Sequence, residues 1–411
     1  MSFKDLKLIK PLLKAVEASG YVTPTLVQQK AIPLILEKKD VIVSAQTGTG
    51  KTAAFALPML QALFDRQDAP KGGKKIKALI ISPTRELAIQ IQQNFKTYAQ
   101  FTNLRTLVVF GGASIEPQVD VLTKGVDILV ATPGRLLDLH KQDYVNLDYI
   151  ETFVLDEADL MLAMGFIDDV KKIERLCPEK KQTLLFSATI PHKIEDLART
   201  ILKNPERIDV TPTKSVAKDV SQVLYYVPKK NKIELCLHLL RNTVKGNILI
   251  FRRTKYGVDK LQETLQKNGY AVNSIHGDKA QSDRQNALNK FKNGYVKVLI
   301  ATDVAARGID INELDNVLNF DMPNVPETYV HRIGRTGRAG NVGIAYSLCS
   351  ADEKNYVKAI EQAINVQISV ETEHPYPLDP KAKPTVHKKQ GSKYKKGRKS
   401  EASKKKKKRW Y

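Results

Sequence analysis

A glycine-rich loop near the start of the chain ends in a Lys-Thr pair. Residues 44–52 read Ser-Ala-Gln-Thr-Gly-Thr-Gly-Lys-Thr and stand between an apolar run, 41–43, and a helix-like run, 53–57. In this strand-loop-helix context, glycines let backbone N–H groups turn toward phosphate oxygens, and the helix N-terminus adds its dipole. Lys51 would reach the β- and γ-phosphates of a nucleotide, and the Thr52 hydroxyl would bind Mg²⁺. The predicted phosphate site has alanine where the general pattern has glycine and comprises Ala45, Gln46, Thr47, Gly48, Thr49, Gly50, Lys51 and Thr52.

Two adjacent carboxylates follow about a hundred residues later. The apolar run 153–155 ends in Asp156-Glu157-Ala158-Asp159. A carboxylate at the tip of a buried strand beside the phosphate loop can hold Mg²⁺ through water, and a second one directly after it can polarise an attacking water. Four such residues alone would ordinarily form a solvated acidic turn, but after a phosphate loop they predict a hydrolytic site. Asp156 is the predicted Mg²⁺ ligand and Glu157 the predicted general base.

The elements that would position these residues are short runs rich in Val, Ile and Leu, separated by longer amphipathic stretches. This alternation is typical of parallel strands that are buried on both faces and joined by crossover helices, so the predicted fold class is α/β. Almost every run in the first half ends in a polar cluster, which predicts one shared site because ligands bind beyond the carboxyl ends of such strands. The candidate strands are 41–43, 78–81, 106–109, 127–130, 152–155 and 183–186.

A second series of apolar runs begins after residue 220, so the fold is predicted to be repeated, with strands at 247–251, 297–300 and 316–320. No second Gly-Lys-Thr loop occurs there, and the second domain is therefore expected to serve the nucleotide of the first. Apolar density falls between the two series, where prolines and lysines appear. The predicted division is 1–204 for the first domain, 205–219 for a linker, 220–373 for the second domain and 374–411 for a tail.

Positive charge is concentrated at the C-terminal end. Residues 381–411 hold 15 Lys and Arg against the single acid Glu401, a net +14 out of the formal +22 of the chain, so the other 380 residues carry only +8. A segment with so few apolar residues is expected to be disordered. It is either a solubilising end or a contact for a polyanion, whose binding would release counterions.

The cysteines and the N-terminus bear on the compartment. Cys177, Cys236 and Cys349 are far apart and match no metal or redox spacing, so buried thiols in a reducing compartment are expected rather than disulfides. The chain starts with a polar, amphipathic stretch without a signal pattern, and no apolar run approaches roughly 18 residues. These features favour a cytoplasmic protein without membrane contact.

Residues 156–159 and a series of other motifs resemble the DEAD-box ATP-dependent RNA helicases over nearly the whole body of the chain. The resemblance implies two tandem RecA-like domains with one ATP site between them, and ATP and Mg²⁺ as ligands. Besides the phosphate loop, the motifs that carry it are 20–28, 83–88, 111–112, 132–135, 156–159, 187–189, 251–254, 276–284, 301–310 and 331–338.

Residues 20–28 resemble the adenine-sensing Q motif of the family, which with its upstream aromatic residue would occupy 1–29. Phe3 stands 17 residues before Gly20 as that isolated aromatic residue. An amide can pair bidentately with adenine N6 and N7, and an aromatic ring can stack on the base. The resemblance thus implies that Gln28 and Phe3 select ATP, although Phe3 alone would more often be a hydrophobic anchor.

Arg335 and Arg338 stand three residues apart, a spacing that lets both side chains project in one direction from a single turn. The resemblance implies that they are arginine fingers, which stabilise the charge of the transferring γ-phosphoryl group when the cleft between the domains closes. An Arg-rich turn alone would more often contact a phosphate backbone. The resemblance also implies that Gly308 and Asp310 lie near the ATP ribose.

Several predicted strands are followed directly by hydroxyl side chains, backbone N–H groups beside glycine and single arginines. Such groups suit a sugar-phosphate backbone and do not read bases, and the resemblance implies that they bind RNA. Ser187 and Thr189 match the motif that couples hydrolysis to unwinding, with a plain strand-to-helix cap as the alternative. The implied RNA contacts are Thr84, Arg85, Gly111, Gly112, Thr132 and Arg135 in the first domain and Arg284 and Thr302 in the second.

The predicted function is that of an ATP-dependent RNA helicase. ATP and single-stranded or short duplex RNA would bridge the cleft, so that each favours closure and raises affinity for the other. Duplexes would be separated locally, and hydrolysis would release the RNA. Two alternatives stay open, an ATP-gated RNA clamp or chaperone and a DNA helicase on the same scaffold. The short extension before residues 20–28 and the Lys-rich tail favour the bacterial RhlE-like subgroup, which acts around ribosome assembly and RNA decay.

Overall fold

The computed structural model describes residues 1–46, 48–64, 75–210, 220–306, 314–337, 343–382 and 384. Within them the chain forms two seven-stranded sheets, which confirms the predicted α/β fold class. Most of the predicted linker, 211–219, and most of the basic tail, 385–411, lie outside the described residues.

The first sheet contains β1 (Val41–Ser44), β2 (Ala78–Ile81), β3 (Thr106–Val109), β4 (Ile128–Ala131), β5 (Thr152–Leu155), β6 (Gln182–Ser187) and β7 (Glu206–Asp209). The spatial order is β3-β4-β2-β5-β6-β1-β7, and every pair is parallel. All residues of β1, β2, β4, β5 and β6 are buried. Because helices cover both faces, these strands are continuous apolar runs rather than alternating ones.

Helices lie on both faces of this sheet, namely α1 (Lys10–Ala18), α2 (Leu26–Leu36), α3 (Lys51–Phe64), α4 (Arg85–Tyr98), α5 (Glu116–Thr123), α6 (Pro133–Lys141), α7 (Ala158–Ala163), α8 (Ile167–Arg175) and α9 (His192–Ile201). One apolar core joins the sheet to α1–α4, and another joins its opposite face to α6–α9. Val41 and Val43 belong to the first core and Ile42 to the second, as the alternation of side chains along a strand requires.

The strand β7 lies inside the segment predicted to be a linker. It pairs in parallel with β1 over all four of its residues. Only Ile208 of this edge strand is buried, so β7 has no apolar run by which the sequence could reveal it. A first domain that ended at the predicted boundary, Asn204, would therefore lack one strand of the first sheet.

The second sheet contains β8 (Val220–Tyr226), β9 (Ile248–Phe251), β10 (Val272–Ile275), β11 (Val298–Ala301), β12 (Asn316–Asn319), β13 (Gly343–Cys349) and β14 (Ser369–Glu371). Its order is β10-β11-β9-β12-β13-β8-β14, again with parallel pairs. Counted from its own first strand, this is the order of the first sheet, so the fold is repeated. The helices of this domain are α10 (Lys232–Asn242), α11 (Lys255–Lys267), α12 (Gln281–Lys292), α13 (Asp303–Ala306), α14 (Pro326–Ile333) and α15 (Lys354–Ile364).

Residues 374–378 pack on the second domain, although they were predicted to belong to the tail. The His374 ring stands edge-on to Tyr225 with the ring centroids 5.5 Å apart, and the Leu378 N–H donates to the Tyr226 carbonyl over 3.0 Å. Prolines interrupt this stretch, so it has no periodicity that would predict packing. The second domain extends past its predicted end.

The second domain carries a lysine at the place that Lys51 has in the first. Lys232 is the first residue of α10, which follows β8, as Lys51 is the first residue of α3, which follows β1. Its ammonium lies 2.6 Å from Glu353 Oε2 and donates to the Phe320 and Leu348 carbonyls at 2.8 and 2.9 Å. These three acceptors use all three N–H donors of a lysine. Lys232 therefore has no donor left for a phosphate, which supports a single nucleotide site in the first domain.

The three cysteines, Cys177, Cys236 and Cys349, are free and buried, as expected. Burial raises the pKa of each thiol to about 12, which leaves them protonated and unreactive. No helix in the described ranges has the length and apolar character needed to cross a membrane.

Candidate active site and nucleic-acid interface

The phosphate loop connects β1 to α3 at the carboxyl edge of the first sheet. Gly48 and Gly50 both have a φ of +84°, in the left-handed region that residues with a side chain rarely adopt. A side chain at Gly50 would also collide with the Gln28 amide. The Thr49 hydroxyl donates to the Gln46 carbonyl over 2.7 Å and so closes the turn. The loop thus needs glycine at these two positions for its backbone path.

The alanine that departs from the general phosphate-loop pattern extends β1 and is not part of the turn. Ala45 is fully buried, and its N–H donates to the Ser187 carbonyl over 2.9 Å. Ala45 does not have a positive φ, so a methyl group is tolerated there. Thr47 lies outside the described residues.

Gln28 holds the phosphate loop from the side. Its Oε1 accepts a hydrogen bond from the Thr25 N–H at 2.9 Å, and its Nε2 donates to the Gly50 carbonyl at 3.2 Å. Thr25 caps α2, and its hydroxyl donates to the Thr49 carbonyl over 2.8 Å. The amide predicted to read adenine therefore also positions the loop that would hold the phosphates.

A cavity of about 570 Å³ opens above the loop. Phe3 lies in its wall with only 5% of its surface exposed, and its ring is stacked 6.5 Å from the Tyr21 ring. The Tyr21 hydroxyl in turn lies 3.1 Å from that of Tyr98. Phe3 is therefore both a buried hydrophobic anchor and part of the cavity wall. Tyr21 and Tyr98 were not predicted; only the aromatic character of Tyr21 within its motif could have suggested it. The predicted residues in the wall are Phe3, Gln28, Gly48, Gly50, Lys51, Thr52, Asp156, Glu157 and Arg335, whereas Ala45, Gln46 and Thr49 are not in it.

The residues predicted to be catalytic, Lys51 and Glu157, meet in this cavity. Lys51 Nζ lies 2.9 Å from Glu157 Oε1, and both residues are buried. Burial opposes the charge on Lys51, but Glu157 and Asp156 outweigh it and raise the pKa of the lysine. Burial also works to raise the pKa of Glu157, but the charge of Lys51 outweighs it and lowers that pKa. His331 and Arg335 of the second domain contribute to the same lowering. Glu157 is therefore ionised, as a general base must be.

Glu157 is also held in a strained backbone conformation. Its φ of 55° lies in the left-handed region, which is rare for residues other than glycine. Such strain costs on the order of 1–3 kcal/mol and persists where the surrounding structure imposes it. Here the surroundings are the end of β5, the start of α7 and the ion pair with Lys51. The strained turn aims the carboxylate into the cavity.

Asp156 is the predicted Mg²⁺ ligand. It is 2% exposed, and burial raises its pKa to about 7 against the opposing effect of Lys51. A divalent cation would favour the ionised form, and a carboxylate, the Thr52 hydroxyl, phosphate oxygens and water make up the all-oxygen donor set that Mg²⁺ takes. No group of three or more His, Cys, Asp or Glu in the described residues could hold a metal alone. The residues present therefore fit an ion that depends on phosphate and water for its remaining ligands.

Ser187 and Thr189 are bonded to the acidic turn. The Thr189 hydroxyl and N–H both donate to Asp159 Oδ2, at 3.0 and 3.2 Å. The Ser187 hydroxyl accepts from the Asp159 N–H at 3.1 Å and donates to the Thr189 carbonyl at 2.7 Å. The next helix, α9, has Pro191 at its N-cap and no side-chain cap. The two hydroxyls thus link the hydrolytic turn to the end of β6, and the alternative of a plain helix cap does not apply.

Arg335 reaches the nucleotide cavity from the second domain. It is 5% exposed and lies in the same wall as Lys51 and Glu157. The other predicted finger, Arg338, and the two residues predicted near the ribose, Gly308 and Asp310, lie outside the described residues.

Arg332, three residues before Arg335, was not predicted. It is 2% exposed, and its Nε and Nη2 lie 2.6 and 2.8 Å from the two carboxylate oxygens of Asp303. Its Nη1 donates to Asn319 Oδ1 and to the Asp321 carbonyl, at 3.1 and 2.7 Å. The guanidinium ties together the ends of β11 and β12 and the end of α14. The only feature of the sequence that could have indicated Arg332 is its place in the Arg-rich motif 331–338.

A second cavity, of about 530 Å³, lies between the two domains. Gly112 is not in its wall, but its φ is +71° and a side chain there would collide with the Arg85 guanidinium. Arg135 donates to the Ala113 carbonyl over 2.9 Å. The predicted RNA contacts in the wall are Thr84, Arg85, Gly111, Thr132, Arg135 and Arg284; residues in it that were not predicted include Met164, Phe166, Gly277 and Val304.

Thr302 is not in this wall, and its RNA contact stays a prediction. It precedes α13, where its N–H donates to the Ile275 carbonyl at 3.4 Å and its carbonyl accepts from the Ala306 N–H at 2.9 Å. The residues that follow it, Val304 and Ala305, face the cavity instead. The helical turn of α13 carries them toward the cleft and leaves Thr302 at the strand end.

Arg284 joins the two domains. Its guanidinium lies 2.8 Å from Glu86 Oε2, and Gln281 Nε2 donates to Glu86 Oε1 at 2.9 Å. Glu86 and Arg284 are 7% and 8% exposed. Glu86 belongs to the motif 83–88 but was not predicted as a site residue, because a partner 195 positions away leaves no mark on the local sequence.

The fold and the site define a two-domain nucleoside triphosphatase of the helicase class, with a nucleotide cavity completed by the second domain and a further cavity between the domains. Residues 25–197 match the family described as DEAD/DEAH box helicase, and residues 231–340 match the helicase conserved C-terminal domain. The chain is 43% identical over 362 residues to the DEAD-box ATP-dependent RNA helicase CshA of Bacillus subtilis (strain 168), covering 88% of this chain and 72% of that protein. CshA of Geobacillus kaustophilus is 42% identical over 361 residues, covering 88% of this chain and 76% of its own. The chain belongs to the DEAD-box family of ATP-dependent RNA helicases.

Solved structures agree with this assignment. Saccharomyces cerevisiae Dbp5 bound to RNA and ADP BeF3 is 31% identical with a TM-score of 0.80, covering 90% of this chain and 95% of that one. Mss116p bound to ssRNA and AMP-PNP is 31% identical with a TM-score of 0.82, covering 90% of this chain and 78% of that one. Both sheets are therefore RecA-like domains of an RNA helicase.

Proposed function

We propose that Glu157 is the general base and Arg335 an arginine finger for ATP hydrolysis, and that the cavity between the domains holds the RNA that stimulates it. One observation carries the proposal: Arg335 of the second domain lies in the same cavity wall as Lys51 and Glu157 of the first. An arginine supplied across a cleft makes turnover depend on closure. Arg338, Gly308 and Asp310 keep their implied roles at the γ-phosphate and the ribose as part of this proposal.

Lys51 is the group for which ATP would compete. Its ammonium lies on the Glu157 carboxylate at 2.9 Å. Phosphate oxygens bind the same ammonium, so ATP would draw Lys51 away and leave the carboxylate free to hold a water and take its proton. Mg²⁺, held by Asp156 through water and by the Thr52 hydroxyl, would neutralise charge on the β- and γ-phosphates. Gln28 and Phe3 would select adenine from the side of the cavity.

The RNA side is proposed to bind the sugar-phosphate backbone without reading bases. Its wall offers the hydroxyls of Thr84 and Thr132, the backbone at Gly111 and the guanidinium groups of Arg85 and Arg135, which suit phosphates and riboses. The Glu86 contact with Arg284 joins this wall across the cleft. Ser187 and Thr189, bonded to Asp159, are proposed to couple the two cavities.

The test is Glu157→Gln in the full chain. The amide keeps the shape of the carboxylate but cannot accept the proton of water, so RNA-stimulated ATP turnover should fall by about 10²- to 10⁴-fold while ATP and RNA affinities stay near those of the unaltered protein. Glu179→Gln, at a carboxylate whose side chain is 93% exposed, serves as the control and should change nothing. Near-normal turnover by Glu157→Gln would remove Glu157 from this role.

The other activities predicted from the sequence give different results in the same assays. An RNA clamp would hold RNA strands as tightly in Glu157→Gln as in the unaltered protein. A chaperone would anneal strands at the same rate in both. A DNA helicase would be stimulated by DNA as strongly as by RNA. Buried Lys51, Glu157 and Arg335 in one cavity favour turnover as the function, because an ATP-gated clamp needs only nucleotide binding.

The finer assignments are also proposals. For the subgroup we propose a CshA-like role in place of the RhlE-like one, because the similarity to CshA proteins supports it. A cytoplasmic location and partners in ribosome assembly or RNA decay are proposed on the same family grounds. For the domains we propose bounds of 1–210 and 220–382, since β7 and residues 374–378 pack with the sheets.

A further inference from the structure

Two tyrosines of the second domain differ from the other aromatic residues in exposure. Tyr256 is 75% exposed and Tyr295 is 77% exposed, the highest values among the aromatic side chains of the described residues. Single exposed apolar side chains are common on protein surfaces, so their positions decide what they mean. Tyr256 is the second residue of α11, just past the carboxyl end of β9. Tyr295 precedes β11, which runs parallel to β9, and therefore lies at the opposite edge of the sheet.

Tyr256 follows Lys255, a residue that is linked to the cavity between the domains. The Lys255 ammonium lies 2.5 Å from Asp278 Oδ2, and Asp278 directly follows Gly277, which lines that cavity. Residues 252–260 hold four Lys and Arg against the single acid Asp259, so the segment around the ring carries a net positive charge. Neither the adenine site nor the predicted backbone contacts use Tyr256.

We propose that Tyr256 stacks on an RNA base where a single strand leaves the cavity. This inference rests on the proposed RNA-binding role of that cavity and adds a base contact to its backbone contacts. An aromatic ring beside cations, continuous with a groove for the backbone, is how proteins hold single strands without reading sequence, because every base has a face on which to stack. The link to the cavity through Lys255 and Asp278 and the net positive charge of the segment favour a nucleic acid over a protein partner at this ring.

The experiment compares Tyr256→Ala, Tyr256→Phe and Tyr295→Ala in the full chain. Affinity is measured with a non-hydrolysable ATP analogue for single-stranded RNA and for an abasic ribose-phosphate strand of the same length. Tyr256→Ala should weaken binding of the base-bearing strand about tenfold and leave the abasic strand unchanged. Tyr256→Phe keeps the ring and should bind like the unaltered protein, and so should Tyr295→Ala, which removes an equally exposed ring from the opposite edge.

Equal binding of the base-bearing strand by Tyr256→Ala and the unaltered protein would overturn the inference in favour of a protein contact at this ring. An equal loss on the abasic strand would overturn it as well, because the ring would then act through the backbone. The proposed function is tested separately, by RNA stimulation of ATP turnover in the unaltered protein. That stimulation should persist in Tyr256→Ala at saturating RNA.

Discussion

The Glu86 carboxylate of the first domain lies 2.8 Å from the Arg284 guanidinium of the second. Both residues are more than nine-tenths buried, and Gln281 donates to the same carboxylate. A buried ion pair that loses one partner leaves an uncompensated charge, which is costly. Because the two residues belong to different domains, this cost applies to the closed arrangement in which both cavities are complete.

Glu86→Gln should weaken closure. The amide keeps the size of the side chain but loses the charge that Arg284 faces. A hydrogen bond to a charged group contributes about 1.5–3 kcal/mol, so RNA affinity in the presence of a non-hydrolysable ATP analogue should fall roughly tenfold to a hundredfold. RNA affinity without nucleotide should change much less, because closure contributes little to it. A matched control is Glu174→Gln, which alters a carboxylate paired with the buried Lys181 inside the first domain, at 2.7 Å. Equal effects of the two substitutions would show that the Glu86 pair stabilises the fold and not closure.

Arg335→Ala should lower turnover far more than ATP affinity. The side chain comes from the second domain and meets the nucleotide cavity only across the cleft, and arginine fingers contribute roughly 10³- to 10⁵-fold to turnover. The measurements are ATP turnover at saturating RNA and ATP affinity by direct binding. The opposite pattern, lost RNA affinity with normal turnover at saturating RNA, would place Arg335 on the RNA surface.

Arg332→Lys should destabilise the second domain. Lysine keeps the positive charge but cannot bond both Asp303 oxygens while also reaching Asn319 and the Asp321 carbonyl. The loss of a hydrogen bond to a charged group costs about 1.5–3 kcal/mol, which denaturant unfolding can measure. Arg241→Lys is the control, since Arg241 bonds Asn268 at an exposed position. An unfolding free energy close to that of the control variant would contradict a structural role for Arg332.

Truncation after Pro380 should weaken RNA binding without impairing catalysis. The removed segment carries a net +14, and each neutralised phosphate adds about −0.7 to the slope of log affinity against log salt on single strands. The truncated chain should therefore show a flatter salt dependence, while ATP turnover at saturating RNA stays near that of the full chain. An unchanged slope would exclude a phosphate tether. A collapse of saturated turnover would instead make the segment part of the catalytic machinery.

The sequence alone determined the fold class and the repetition of the domain, and it predicted the chemistry of the ATP site. Strands that are covered on both faces must be continuous apolar runs, so β1, β2 and β5 can be recognised from the sequence. The phosphate loop and the pair Asp156 and Glu157 can be recognised for a different reason. Their chemistry needs residues that are neighbours in the sequence, so a short motif contains them.

Only the tertiary structure decided which distant residues meet. Arg332 and Asp303 are 29 positions apart and Gln281 and Glu86 are 195 apart, and no local pattern marks either contact. The edge strand β7 escaped prediction because it buries a single residue. Thr302 lies outside the wall of the cavity between the domains, because the one-turn helix α13 determines which of its neighbours faces that cavity. Which side chains are buried and which residues pair across the cleft depends on how whole sheets and helices pack. That information is distributed over the chain and is not contained in any one motif.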